Sequence, residues 1–183
     1  MQANNKLTVV INGRGGVGKD TLCDFAAEQF CVRNVSSITP IKEIARTHGW
    51  NGEKDLRSRK FLSDLKHIFT EYNDLPTRYL ADEHRAFLES DAQILFVHIR
   101  ESDQIGAFVR AVDGNCITLL VRRADESVAE HYGNASDDDV ECYEYDYYYD
   151  NNLPLEQTKQ AFIDFIGRIA AEQNIILKEK AER

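Results

Sequence analysis

The sequence predicts an α/β protein with a parallel sheet of about five strands and helices on both faces. Three observations carry this. Short apolar runs alternate with helical patterns along the whole chain. A glycine-rich segment joins the first apolar run directly to the first helical pattern. No internal repeat or low-complexity linker interrupts the 183 residues, so residues 1–183 read as one domain, long enough to bury a core.

Residues 7–12 (LTVVIN) are an apolar run that suits a buried parallel strand. From Gly18 a helical pattern takes over, with Leu22, Phe25, Ala26 and Phe30 on one face. Residues 34–39 fit a second short strand. Pro40 is placed to open a helix in which Ile41, Ile44 and Ala45 follow at helical spacing. Residues 55–72 predict an amphipathic helix with a core stripe of Phe61, Leu62, Leu65, Ile68, Phe69 and Tyr72, and with Arg57, Lys60, Asp64 and His67 on the other side. A further helix is expected at 76–89, a buried strand at 93–99, a helix at 102–112 and another buried strand at 116–121. Residues 123–142 are polar, acidic and unpatterned. The tyrosine-rich 143–149 read as a last strand, packed on the sheet edge with its hydroxyls reaching water, and Leu155, Phe162, Ile166 and Ile169 place a helix at 155–172.

The net charge of −9 excludes a whole-chain basic footprint for a nucleic-acid polymer, so an anionic ligand must be met by locally concentrated Arg, Lys and backbone N–H groups. No run approaches the roughly 18 apolar residues of a membrane span, and no signal peptide is visible. The four cysteines (Cys23, Cys31, Cys116 and Cys142) form no C-x-x-C pair and read as reduced thiols, mostly in the core. The expected location is the cytoplasm.

The chemistry concentrates in Gly13-Arg14-Gly15-Gly16-Val17-Gly18-Lys19-Asp20-Thr21. This segment follows a strand and opens a helix, the setting of a phosphate-binding P-loop. Its glycines let successive N–H groups turn inward on an anion, and the positive helix end adds to the attraction. Lys19 can reach the β- and γ-phosphates of a bound ATP. The strict pattern has Ser or Thr after the lysine as the Mg²⁺ ligand; here Asp20 stands there and Thr21 follows. A carboxylate is a good hard-oxygen ligand for Mg²⁺, and an acidic residue in a first helical turn also complements the helix dipole. A three-layer P-loop NTPase fold with ATP and Mg²⁺ is therefore expected.

At Gly18-Lys19-Asp20-Thr21 the chain resembles the deoxynucleoside monophosphate kinases of bacteriophages and, more distantly, the animal-type phosphomevalonate kinases. Pro40-Ile41-Lys42-Glu43 is similar to their Pro-x-Lys-acidic step after the second strand. Asn134-Ala135-Ser136-Asp137 is similar to their H-x-S-E lid step, with Asn134 for His and Asp137 for Glu. Tyr145-Asp146-Tyr147 and Asp150-Asn151-Asn152 are similar to their last strand and the turn after it. Where the family carries Asp-x-Arg at the end of the third strand, this chain has His98-Ile99-Arg100. The resemblance implies a nucleoside monophosphate kinase fold, an acceptor region between the second and third strands, and a mobile lid after the fourth, at about 123–142.

Arg100 lies just past a buried strand, on the side where a parallel sheet binds ligands, and the resemblance gives it a substrate or phosphate contact. His98 reads as a hydrogen-bonded core histidine. The resemblance also implies that Arg122 and Arg123, at the start of the lid, neutralise charge on the transferring phosphoryl group, one of them functional and the other an ordinary surface residue. Lys42, Arg57 and Arg59 suit the phosphate of an acceptor; the alternative is the solvated face of an amphipathic helix. The acidic 137–141 stretch lacks a calcium-loop pattern and reads as a solvated lid face. The reading is a kinase acting on a small phosphorylated acceptor, first a (deoxy)nucleoside monophosphate. The alternatives are a non-nucleotide phosphate such as phosphomevalonate, or a nucleotide-binding regulator with little turnover.

Overall fold

A computed structural model of the chain describes residues 5–124 and 140–180. Five strands form one sheet in the order β2-β3-β1-β4-β5, and all four ladders are parallel. The strands are β1 (Leu7–Asn12), β2 (Val32–Ser36), β3 (Ile94–His98), β4 (Ile117–Arg122) and β5 (Tyr147–Asp150). The helices are α1 (Lys19–Gln29), α2 (Thr39–Thr47), α3 (Leu56–Asn73), α4 (Leu75–Leu88), α5 (Ser102–Ala111) and α6 (Leu155–Glu172).

β1 is buried at every position, because both sheet faces are covered and neither phase of the pleat reaches water. On one face Val9, Ile11, Phe96 and Leu119 meet Leu22 and Ala26 of α1 and Phe162, Ile166 and Ile169 of α6. On the other face Val10, Leu95, Val97 and Leu120 meet Leu80 and Phe87 of α4 and Ile105 and Phe108 of α5. These are the three expected layers. Helices α2, α3 and α4 occupy the excursion between β2 and β3, where the acceptor region is expected.

Three expectations need correction. The six apolar residues of α3 span about 120° of helix circumference, more than one contact can cover. The chain covers the half bearing Leu62, Leu65 and Phe69, and Phe61, Ile68 and Tyr72 stand in solvent. The deepest α3 side chain is instead a cation, Lys66. The last strand is shorter than 143–149, because Tyr143 and Tyr145 lie in the bend before β5, after a 3-10 turn at Val140–Cys142. Of the cysteines only Cys23 is buried; Cys116 is intermediate, Cys31 and Cys142 are exposed, and all are free thiols. Residues 125–139, with Asn134 and the 137–139 part of the acidic stretch, lie outside the described residues. Among the described residues no helix is long and apolar enough to cross a membrane.

Candidate functional site

The C-terminal ends of the parallel strands gather the charged and glycine-rich residues, as sheet polarity requires. β1 ends at Asn12, which is buried and ties three segments together. Its Oδ1 accepts from Gly13 N at 2.8 Å, and its Nδ2 donates to Arg100 O at 3.0 Å and to Tyr145 Oη at 2.8 Å. Tyr145 Oη in turn donates to Val140 O at 2.8 Å. The first loop residue is thereby fixed to the ends of β3 and of the 3-10 turn.

Two glycines in the loop are obligatory for space. Gly13 has φ +149°, and a Cβ there would sit 2.4 Å from Val121 O. Gly18 caps α1 at φ +92°, and a Cβ there would approach Asn151 Nδ2 to 2.7 Å. That amide is buried and donates to Val17 O at 2.8 Å, which clamps the loop from the turn after β5. Lys19 folds back over the loop and donates to the carbonyls of Gly13 and of Arg14, the latter at 2.9 Å. An arriving phosphate competes with these carbonyls for the ammonium. Arg14 is exposed and pairs with Glu141 at 3.2 Å, just beyond the 3-10 turn's start. Gly15 is half-buried, Gly16 exposed at φ +80°, and Val17 packs into the core under the loop.

Asp20 and Thr21 open α1 side by side, both exposed. The field of Asp20 reaches His98 and Lys42, so its carboxylate is on the side of the β3 tip. Thr21 is turned about 100° further round the helix. Asp20 fits Mg²⁺ by donor chemistry: a hard oxygen beside the loop, exposed enough for phosphate oxygens and water to complete an octahedron. His98 has Nε2 3.3 Å from Asn34 Oδ1 and 3.9 Å from Cys23 Sγ. Burial pushes its imidazole below the ordinary value, with Asp20 opposing the shift. Burial also pushes the Cys23 thiol far up, so Cys23 offers no thiolate.

The excursion helices bring a group of cations to this edge. Lys42 on α2 is half-buried. Its ammonium is pushed below the ordinary value by burial and then by Arg46, Lys54 and Arg100, with Asp20 opposing. Like charges collected in this way are a standing attraction for an anion. Lys66 on α3, only 6% exposed, donates to Ser37 Oγ at 3.0 Å and to Glu101 Oε2 at 2.6 Å. Burial is the largest influence on it and lowers its pKa, with Glu101 opposing. This links α3 to the loops after β2 and β3, beside Arg100. Helical spacing puts Arg59 within about 20° of Lys66 on the wheel and Arg57 opposite it. The structure therefore brings Lys42 and Arg100 toward one edge, while on α3 Arg59 shares the Lys66 side of the helix and Arg57 lies on the opposite side.

Arg122 is the last residue of β4 and Arg123 follows it outside the strand. Arg122 Nε donates to Asp150 Oδ1 at 2.9 Å, across the ladder that pairs the two residues, and its guanidinium lies 4.9 Å over the Tyr148 ring. It is held as a strand-end ion pair. Arg123 is exposed at the entrance to the segment after β4. Sequence reasoning missed Asn12, Lys66 and Glu101. Nothing local separates Lys66 from Lys60, and Asn12 looks like any strand-ending asparagine. Asn151 had a signal in the turn motif after the last strand, but not its clamping role.

No family model matches the chain, and no curated protein matches its sequence. Solved structures do match its fold. A sugar kinase from Janibacter sp. has a TM-score of 0.55 at 14% identity, covering 93% of this chain and 99% of that one. The tunicamycin resistance protein of Deinococcus radiodurans has a TM-score of 0.56 at 14% identity, with coverages of 94% and 98%. The shikimate kinase of Aquifex aeolicus has a TM-score of 0.52 at 10% identity, with coverages of 90% and 99%. At such identities the likeness is one of fold, the five-stranded parallel P-loop architecture over almost the whole length of each chain.

Proposed function

We propose that the chain is a Mg·ATP-dependent phosphotransferase whose acceptor is a small anion, in the first place a (deoxy)nucleoside monophosphate. One observation carries the reading. A P-loop, with Lys19 closed on its own carbonyls, opens the helix that carries Asp20, and Asp20 and Arg100 both lie close enough to Lys42 to influence its charge. The loop from Gly13 to Thr21 offers its N–H groups and helix end to the ATP phosphates. Asp20, with Thr21 as the second candidate, would hold Mg²⁺, which supplies charge neutralisation between the phosphates. Lys19 leaves the carbonyls for the β- and γ-oxygens. Lys42 and Arg59 orient the acceptor, and Lys66 holds α3 in place for them. Arg100 and Arg123 meet charge on the transferring group, whereas Arg122 serves the β4–β5 edge. Positioning and charge suffice for this transfer, so half-buried His98 is not required as a proton carrier.

A second reading keeps the transfer and changes the acceptor to a hydroxy acid without phosphate. The shikimate kinase among the matching folds favours it, and the same cations suit a carboxylate. The test is ADP release from Mg·ATP across ribo- and deoxynucleoside monophosphates, phosphomevalonate, gluconate and shikimate. Release is expected to depend on one acceptor and to fall about a hundredfold or more in Lys19→Ala. ATP binding with no acceptor-dependent release would overturn the transferase reading and leave a nucleotide-binding regulator.

A further inference from the structure

Phe61, Ile68 and Tyr72 are 43%, 58% and 81% exposed on α3. With half-buried Leu65 they recur at steps of four, three and four residues, which draws one narrow stripe along the helix. The stripe does not serve the candidate active site. It lies about 100–160° round the helix from Lys66, whose ammonium marks the side turned to Ser37 and Glu101. An apolar stripe at this spacing, on a helix already anchored along its other side, is what a second helix packs against.

The charges beside the stripe indicate which helix that is. Arg57, Asp64 and Glu71 follow it at seven-residue steps, with the cation at the N-terminal end and a carboxylate at the C-terminal end. Asp64, in the middle, is held by Lys60 at 2.7 Å. A two-fold axis between residues 64 and 65 sets Phe61 against Ile68 of the second copy and brings the two copies of Leu65 near each other. It also brings Arg57 beside Glu71 of the second copy, twice over. A parallel pairing would instead set Arg57 on Arg57 and Glu71 on Glu71, like charges at both ends of the helix, whereas the two-fold meets like charge only at Asp64, which Lys60 already holds. We propose that α3 is a self-association surface through which two copies of the chain pair antiparallel. The helix is about 27 Å long, so this contact sits at the small end of stable interfaces and the association is reversible. It leaves the Lys66 side of α3 open, and it does not depend on which acceptor, if any, the chain phosphorylates.

Sedimentation velocity on the full chain between about 1 and 100 µM tests this. The wild type is expected to pass from monomer to dimer in that range. Ile68→Glu and Tyr72→Ser, both on exposed positions, are expected to weaken the dimer at least tenfold, with circular dichroism and melting temperature of the monomer unchanged (about tenfold being the scale of one interface anchor). Arg57→Glu and Glu71→Arg are each expected to weaken it, and the two together to restore it. A wild type monomeric throughout, or an Ile68→Glu chain that dimerises as well as the wild type, overturns the surface. A double charge reversal no better than the single ones overturns the antiparallel pairing.

Discussion

Lys19 is held at the loop by two carbonyls, yet the shape of the loop does not come from Lys19. It comes from Asn12 at the start and Asn151 at the end, two buried amides that hold backbone atoms of Gly13 and Val17. Removing the Asn151 amide leaves Val17 O and the space beside Gly18 unfilled. Asn151→Ala is therefore expected to lower unfolding stability by about 1–3 kcal/mol, read from urea titration. The same variant is expected to weaken ATP binding severalfold, whereas Lys19→Ala weakens turnover at nearly unchanged stability. An Asn151→Ala chain with wild-type stability and ATP affinity would remove the clamp from the account. The contrast is also one of legibility. Lys19 is written in the motif, whereas the role of Asn151 depends on 134 residues of intervening chain folding back on the loop.

At the scale of elements, α6 is the clearest success of periodic reading, because its apolar positions fall at helical spacing and, beyond the first turn, that face is buried at Phe162, Ile166 and Ile169. Phe162 is completely buried, stacked with Phe96 and edge-on to Tyr149, while Leu155 on the first turn is 67% exposed. Phe162→Ala is expected to cost about 3–5 kcal/mol and Leu155→Ala less than about 0.5 kcal/mol, measured by urea unfolding. Comparable losses at both positions would mean α6 is not docked as described. Helix α3 shows where periodicity runs out. Its pattern predicts a helix and an apolar stripe, but not which part of a wide stripe is covered. That depended on Lys66 reaching Ser37 and Glu101, a contact between residues 29 and 35 positions apart that sets the rotation of the helix.

At the scale of the molecule, pH should act through buried imidazoles. His84 on α4 is 4% exposed, packed edge-on to Phe108, with Nε2 unpartnered and with Asp82 and Arg85 lining the same cavity. Burial lowers its pKa, as it does for His98. Below the unfolded value of about 6.5 the unfolded chain takes up protons that the folded chain resists, so stability falls as pH falls from there toward the folded values. The urea midpoint is expected to drop between about pH 7.5 and pH 5.5, and to drop less in His84→Gln. An identical pH slope in the variant would assign the effect to other groups.

The sequence alone determined the α/β class, the order and approximate limits of the helices and strands, and the phosphate-binding loop. These follow from local periodicity and from glycines at fixed spacing beside a lysine, information carried within about 20 residues. Only the tertiary structure decided which charges converge. It gathered Lys42 and Arg100 near Asp20, put Arg59 on the Lys66 side of α3 and Arg57 on the other, tied Arg122 to Asp150 and buried Lys66 against Glu101. The physical reason is that a side chain's neighbours across a parallel sheet come from crossovers tens of residues long, and local pattern does not encode the rotation at which each helix docks.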